Sequence, residues 1–461
     1  MDALGLARLQ FGITTIYHFL FVPLTIGLAL TVAIMETIYV RTKNPAFKQM
    51  VQYWGRLFLI NFAVGVVTGI IQEFQFGMNW SSYSRFVGDV FGAPLAVEAL
   101  LAFFLESTFL GVWIFGWDRL RPAAHALAMW LVAIGTSVSA FWILTANSFM
   151  QEPTGYAVVH GRAEMTSFGA LLGNPQLWVE FPHVLLAAFT TAAFFVAGIS
   201  AYFLLRRQHL DVFRSSMKIA LVIGAVSSIL LAVNGDAQAK HVVQTQPMKM
   251  AAAEAVWHTA PAPAPWNLIA GIDQLGGRNT FSISVPDMLS FLSYGNLTSS
   301  FPGIDELQAR DVQRYGPGNY VPPVASTFWS FRVMVACGVL MVLLAWYGML
   351  LLARRRGLET RPRYLRLLLW AIALPYIANT SGWVMTEIGR QPWIVYGLER
   401  TMQGVSNTVT SADVATSLIG FTLIFGLIAA ADIYLLVRYA KAGPDATEPR
   451  SRMPDESLAA I

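Results

Sequence analysis

The sequence predicts an all-α polytopic membrane protein of about nine transmembrane helices, with one long loop held outside the bilayer. Three observations carry this. Of 461 residues, 55% are hydrophobic and 13% charged, and the mean hydropathy is +0.53, too apolar for a soluble globular chain. The apolar residues form continuous runs of the roughly 20 residues that a helix needs to cross hydrocarbon. Basic residues are plentiful in alternate short connections, and the short ones after spans 2 and 4 are poorer. A β-barrel is excluded, because its strands alternate over only about 10 residues.

The runs fall at roughly 11–40, 53–78, 95–118, 124–150, 178–205, 217–233, 328–352, 364–386 and 411–438. Hydrocarbon cannot satisfy free backbone groups, so each is expected to be a helix. The first run lacks a basic leader and a small-residue cleavage site, and it reads as a span rather than a signal peptide. Arg41, Lys43, Lys48 and Arg56 follow span 1, Arg119 and Arg121 follow span 3, and Arg206, Arg207, Arg214 and Lys218 follow span 5. RRRGLETRPRYLR follows span 7, whereas spans 2 and 4 are followed by Arg85 and Arg162 alone. The bias places the N-terminus outside and the C-terminus inside, as nine spans require. The expected units are spans 1–6 over 1–233, an outer loop over 234–327, three further spans over 328–440, and an inner tail over 441–461.

A pI near 9.1 points here to anionic lipid and not to nucleic acid, because the positive charge is spent on the inner loops. Cys337 is the sole cysteine and sits in an apolar run, so it reads as packing and rules out both a disulfide and an iron–sulfur cluster. No Walker loop, Rossmann glycine motif or internal repeat is present. The loop is too long to be a plain connector, and NGDAQAKHVVQTQPMKMAAAEAVWHTAPAPAPWNLI within it predicts a short helix over 247–258, ended by PAPAP.

Against so apolar a background the polar exceptions stand out. At about 1.5 Å per residue, His18 lies roughly 10 Å below the outer end of its span, His183 about 8 Å, Met334 about 9 Å and Glu98 about 5 Å. Glu387, in TEIGRQPW, sits where span 8 reaches the same face. Taken singly each has a bland reading: a satisfied histidine, a gap-filling methionine, an interfacial ion pair with Arg390. Together they form one layer drawn from five spans. A histidine and a methionine at equal depth on separate helices are what a six-coordinate, electron-transferring haem iron requires. Glu98 and Glu106 are eight apart in EALLAFFLE, on one helical face, and buried carboxylates in spans mark ion or proton paths. Glu73 has no comparable argument, and Asn147 is as compatible with packing as with a polar path. His125 and His209 are expected to be solvent-exposed in inner loops, and His160, His241 and His258 to lie in outer ones without zinc-like spacing.

Those residues carry a resemblance. GRQPW preceded by glutamate, FWSFRVM at 328–334 and QPMKMAAAEAVW at 246–257, in this order and topology, closely resemble the large, quinol-oxidising subunit of the cytochrome bd oxidases over nearly the whole chain. The resemblance implies a multi-pass protein of the bacterial cytoplasmic membrane. It implies His183 and Met334 as axial ligands of a low-spin haem b, and His18 and Glu387 as ligands of two high-spin haems, one b-type and one haem d. It implies Glu98 beside those haems, Glu106 on the proton route, and Lys249 and Glu254 as quinol-loop residues away from the haem layer. Arg332, Trp383 and Arg390 match residues beside the haems, with Arg390 suited to propionates. The loop is of the short type, without the insertion of some members. The implied partners are a second membrane subunit, with or without a small accessory one, membrane quinol, O2 and lipid. Two rivals remain at this level: a proton-coupled secondary transporter, which would need related halves or broken helices that are not seen, and a non-catalytic haem-carrying subunit.

Overall fold

The computed structural model describes residues 2–354 and 357–444. Arg355 and Arg356 of the basic connection, and nearly all of the expected tail, lie outside the described residues. Nine helices among the described residues are long and apolar enough to cross a membrane. They are α1 (Ala3–Thr42), α2 (Pro45–Met78), α3 (Ser81–Phe115), α4 (Pro122–Gln151), α5 (Pro175–Arg206) and α6 (Leu210–Thr245), then α8 (Val324–Ala353), α9 (Pro362–Gly389) and α10 (Ser411–Ala442). Between α6 and α8 stands a short helix, α7 (Pro247–Glu254).

Local chemistry sets the helix starts. Asn44 and Asn174 each cap a helix by accepting from the backbone two residues on, at 3.0 and 2.9 Å, and a proline follows at the first turn, where no N–H is needed. The third span is not uniform. Glu98–Phe103 forms a π-helical turn inside α3. In a regular α-helix, residues eight apart are roughly 80° out of phase. A π turn takes more residues per rotation, so it reduces that offset between Glu98 and Glu106.

The bundle is solid at one end and hollow at the other. The largest core, with Trp54, Phe58, Phe203, Phe213 and Leu368, fills the end away from the long loop. There α1, α3 and α4 are tied by a buried clasp that the sequence reading missed. His125 is not exposed in a loop: it is 3% accessible on α4, with Nδ1 on the Glu36 carboxylate and Nε2 2.8 Å from the Trp113 carbonyl, while Trp113 Nε1 donates to Glu36 at 2.8 Å. Hydropathy could not reveal this, because a lone histidine beside basic residues looks solvated until its partner 89 positions away is placed against it.

The long connection also differs from expectation. Helix α6 runs on to Thr245, so residues 234–245 belong to it and His241 is helical, paired with Glu152 at 2.7 Å. Helix α7 stops at Glu254 because Ala255 turns left-handed (φ 50°), well before PAPAP. The rest is folded: an antiparallel hairpin of Trp266–Asp273 and Arg278–Val285, then helices Met288–Tyr294 and Ile304–Tyr315. A second core of Met250, Ala251, Trp257, Phe301 and Phe328 welds this cap to the bundle. His258 is exposed beside Asp305, and His160 turns a hairpin with φ 49°.

Candidate functional site

Under the cap the bundle encloses a hollow of about 1480 Å³, lined by every span except α10 and by α7. A pocket for one drug-sized ligand is about 300–1,000 Å³, so this one has room for more than one large group. His18, Glu98, Glu106, His183, Lys249, Glu254, Met334, Trp383, Glu387 and Arg390 all line it. Of the predicted residues Arg332 alone does not. Its guanidinium is turned into the cap, bonded to the Glu254 carboxylate and, at 2.9 Å, to the Asn267 carbonyl.

Three of the candidate donors, His18, His183 and Met334, reach the hollow on different helices, each across from a glycine. His18 on α1 faces Gly69 of α2, where a Cβ would come 3.2 Å from the ring. Its Nδ1 is 2.9 Å from Thr68 Oγ1, which fixes the ring and leaves Nε2 available, as metal-bound histidines are oriented by a hydrogen bond on their other nitrogen. His183, just after Pro182 on α5, faces Gly235, and its buried ring lies beside the Asn234 side chain. Met334 on α8 faces Gly382 of α9, where a Cβ would meet its Sδ at 2.7 Å. Trp383 beside it packs on Phe11 and edge-on to Phe19, with centroids 6.4 and 5.7 Å away. No three His, Cys, Asp or Glu side chains converge as a metal cage among the described residues. Single axial donors around a large apolar space suit a macrocycle that brings its own equatorial ligands.

At the cap end of α9 the glutamate–arginine pair is buried for a reason. Arg390, 3% accessible, reaches back to the Glu387 carboxylate, donates Nε to the Trp393 carbonyl at 3.3 Å, and leaves Nη1 buried and unpartnered. An unpaired guanidinium N–H facing a cavity fits an anionic group such as a propionate. Asn147 and Gln151 of α4 donate to Glu387 Oε1 at 3.3 and 3.1 Å. Asn147 therefore belongs to the site.

Lys249 and Glu254 are not remote from this layer. Lys249 is 3% accessible and donates to Gln151 Oε1 at 2.6 Å, and its stem fits only because residue 389 is glycine, where a Cβ would lie 2.8 Å from Lys249 Cγ. Burial, with Arg390 nearby, pushes the Lys249 ammonium down to about 7, against the opposing pull of Glu387 and Glu180. Burial pushes the Glu254 carboxyl up, partly offset by Arg332. On α3, Glu98 accepts from Ser139 Oγ at 2.7 Å. Glu106 is 6% accessible, has no ion pair among the described residues, and fits because a Cβ on Gly135 would fall 2.7 Å from its Cγ.

Two buried polar residues were overlooked in the sequence. Gln151 stands just past the apolar run 124–150. Glu180, one turn before His183, is buried and accepts from Gln176 Nε2 at 3.1 Å. The signal for Glu180 was present, since a carboxylate in a span is costly wherever it stands.

The chain is similar over nearly its whole length to known proteins. The family model for cytochrome bd terminal oxidase subunit I matches residues 6–444. The chain is 53% identical over 445 residues to cytochrome bd ubiquinol oxidase subunit 1 of Bacillus subtilis, covering 96% of this chain and 95% of that one. It is 41% identical over 506 residues to cytochrome bd-II ubiquinol oxidase subunit 1 of Escherichia coli, covering 97% and 98%. The solved bd oxidase of Geobacillus thermodenitrificans superposes with a TM-score of 0.87 at 29% identity, covering 96% of this chain and 99% of that one. This helical bundle, hollowed around buried histidine, methionine and glutamate side chains and alike over nearly its full length to these proteins, belongs to the cytochrome bd terminal oxidase subunit I family.

Proposed function

We propose that this chain is the haem-bearing subunit that performs 2 quinol + O2 → 2 quinone + 2 H2O, with the cap facing outward and the basic connections inward. The observation that carries the reading is the single hollow, which brings the donors of α1, α5, α8 and α9 together with the lysine and glutamate of α7. His183 and Met334 would hold a low-spin haem b. His18 and Glu387 would each hold a high-spin iron, one in haem b and one in haem d, with Arg390 beside the propionates. When bound, these groups supply one-electron transfer and an open iron position for oxygen. A second membrane subunit completes the oxidase.

The chain's own residues manage binding and protons. Lys249 offers an N–H to a quinol oxygen and, being close to losing its own proton near neutrality, can accept one. Glu254 stands by as a second acceptor, steadied by Arg332. Protons leave on the cap side, while Glu98 and Glu106 pass protons upward from the opposite face. Release and uptake on opposite sides make the reaction electrogenic with no pumping element.

The test of the whole reading is the absorption spectrum of the purified complex. Three haems are expected. A single low-spin haem would support the non-catalytic subunit instead, and none would leave the transporter.

Lys249→Ala and Glu254→Gln should act on quinol while haem content is retained. Glutamine is the better probe at 254, because removing the side chain strands Arg332 as a buried charge at a cost of about 3–5 kcal/mol. The expected change is a rise in quinol KM on the order of 10-fold, about 1.4 kcal/mol of lost binding. In the unmodified enzyme, quinol oxidation should fall as pH drops through about 7, where Lys249 gains its proton and loses its lone pair. Equal loss of all haems in either variant would mean that α7 is structural only.

A further inference from the structure

Gln151 closes the last turn of α4 and is fully buried. Its amide is fixed by what it faces. Nε2 donates to Glu387 Oε1 at 3.1 Å, and Oε1 accepts from Lys249 Nζ at 2.6 Å and from Gln246 Nε2 at 3.0 Å. A carboxylate only accepts and the Gln246 NH2 only donates, so the amide has one orientation and a flip would set acceptor against acceptor. Gln246 also donates to the Gln151 carbonyl at 3.0 Å, which ties the start of α7 to the end of α4. On the far side, the Lys249 stem lies against Gly389, next to Arg390. Three elements distant in sequence thus meet through one side-chain amide.

We propose that Gln151 is a positioning residue that couples the quinol site to the high-spin iron site, so that occupation of one changes affinity at the other. The inference rests on the roles given above to Lys249 and Glu387. A quinol oxygen that takes an N–H from Lys249 draws Nζ away from Gln151 Oε1. The amide then re-seats, and with it the hydrogen bond that holds Glu387. A passive filler would act otherwise: its removal would cost stability, and quinol and iron would remain indifferent to each other. Linkage makes the effect reciprocal, and couplings of this kind typically change affinity about 5- to 150-fold.

The experiment uses the intact complex, reduced and without oxygen, titrated with carbon monoxide at the high-spin haem with and without saturating short-chain quinol. In the unmodified enzyme quinol should shift the carbon monoxide affinity by about fivefold or more. Gln151→Leu should abolish that shift and raise quinol KM, with the bands of the His183–Met334 haem unchanged. Gln151→Asn, too short to reach both partners, should do the same and serves if the leucine variant fails to assemble. Gln151→Glu still accepts from Lys249 but faces Glu387 with a second carboxylate. It should keep quinol KM while moving the high-spin band. No shift in the unmodified enzyme, or a shift that survives in Gln151→Leu and Gln151→Asn, overturns the coupling. If instead Lys249→Ala leaves quinol KM untouched, the assignment of Lys249 fails, and the two failures are told apart.

Discussion

Loss of the low-spin haem signal, with the high-spin signals kept, is the expected result of His183→Ala and of Met334→Leu. Each variant removes one of two proposed axial donors, and neither should collapse the fold. Met334→Leu is close to volume-conserving, and such exchanges usually cost under about 1.5 kcal/mol. His183 has no ion pair among the described residues, so its loss strands no buried charge. Quinol oxidation should fall by more than about 100-fold, since even outer-shell changes at metal sites cost 10- to 100-fold. Carbon monoxide should still bind in membranes that retain the complex. The reduced-minus-oxidised spectrum decides it: an unchanged low-spin band in either variant removes that residue from the ligand pair.

Glu106→Gln should slow oxygen consumption and proton uptake together while sparing haem content and quinol binding. Glutamine keeps the shape that fits against Gly135 and removes only the exchangeable carboxyl proton. Glu106 lines the hollow, is 6% accessible and has no ion pair among the described residues, so a purely structural role has no partner to rest on. A positioned proton donor is typically worth about 100- to 10,000-fold, and a decrease on the order of 100-fold is expected. Glu106→Asp should be milder unless the lost methylene breaks the relay. Flash-started oxygen reaction of the pre-reduced enzyme follows haem oxidation and proton uptake at once. Unmodified rates for both signals in Glu106→Gln would make the carboxylate structural.

Within this family the protein oxidises quinol and reduces O2 in a membrane, and much of that was written in the sequence. Hydropathy alone determined the nine spans, because a single solvent acts on every residue of a span and leaves each polar exception costly and visible. Distance along a helix is linear in residue number, so His18, His183, Met334 and Glu387 could be expected in one layer, and all four line the one hollow. What the sequence could not determine was which faces meet. Gln151 joins Lys249 at a separation of 98 residues and Glu387 at 236, and His125 finds Glu36 across 89. An amide or a histidine near a helix end has an ordinary solvated reading, and only packing between distant helices removes the water and supplies the partner. The π turn at Glu98, the extension of α6 to Thr245 and the burial of α7 beneath the cap were decided at that level too. Each depends on neighbouring helices and on a second core, whose contacts lie beyond any local window of residues.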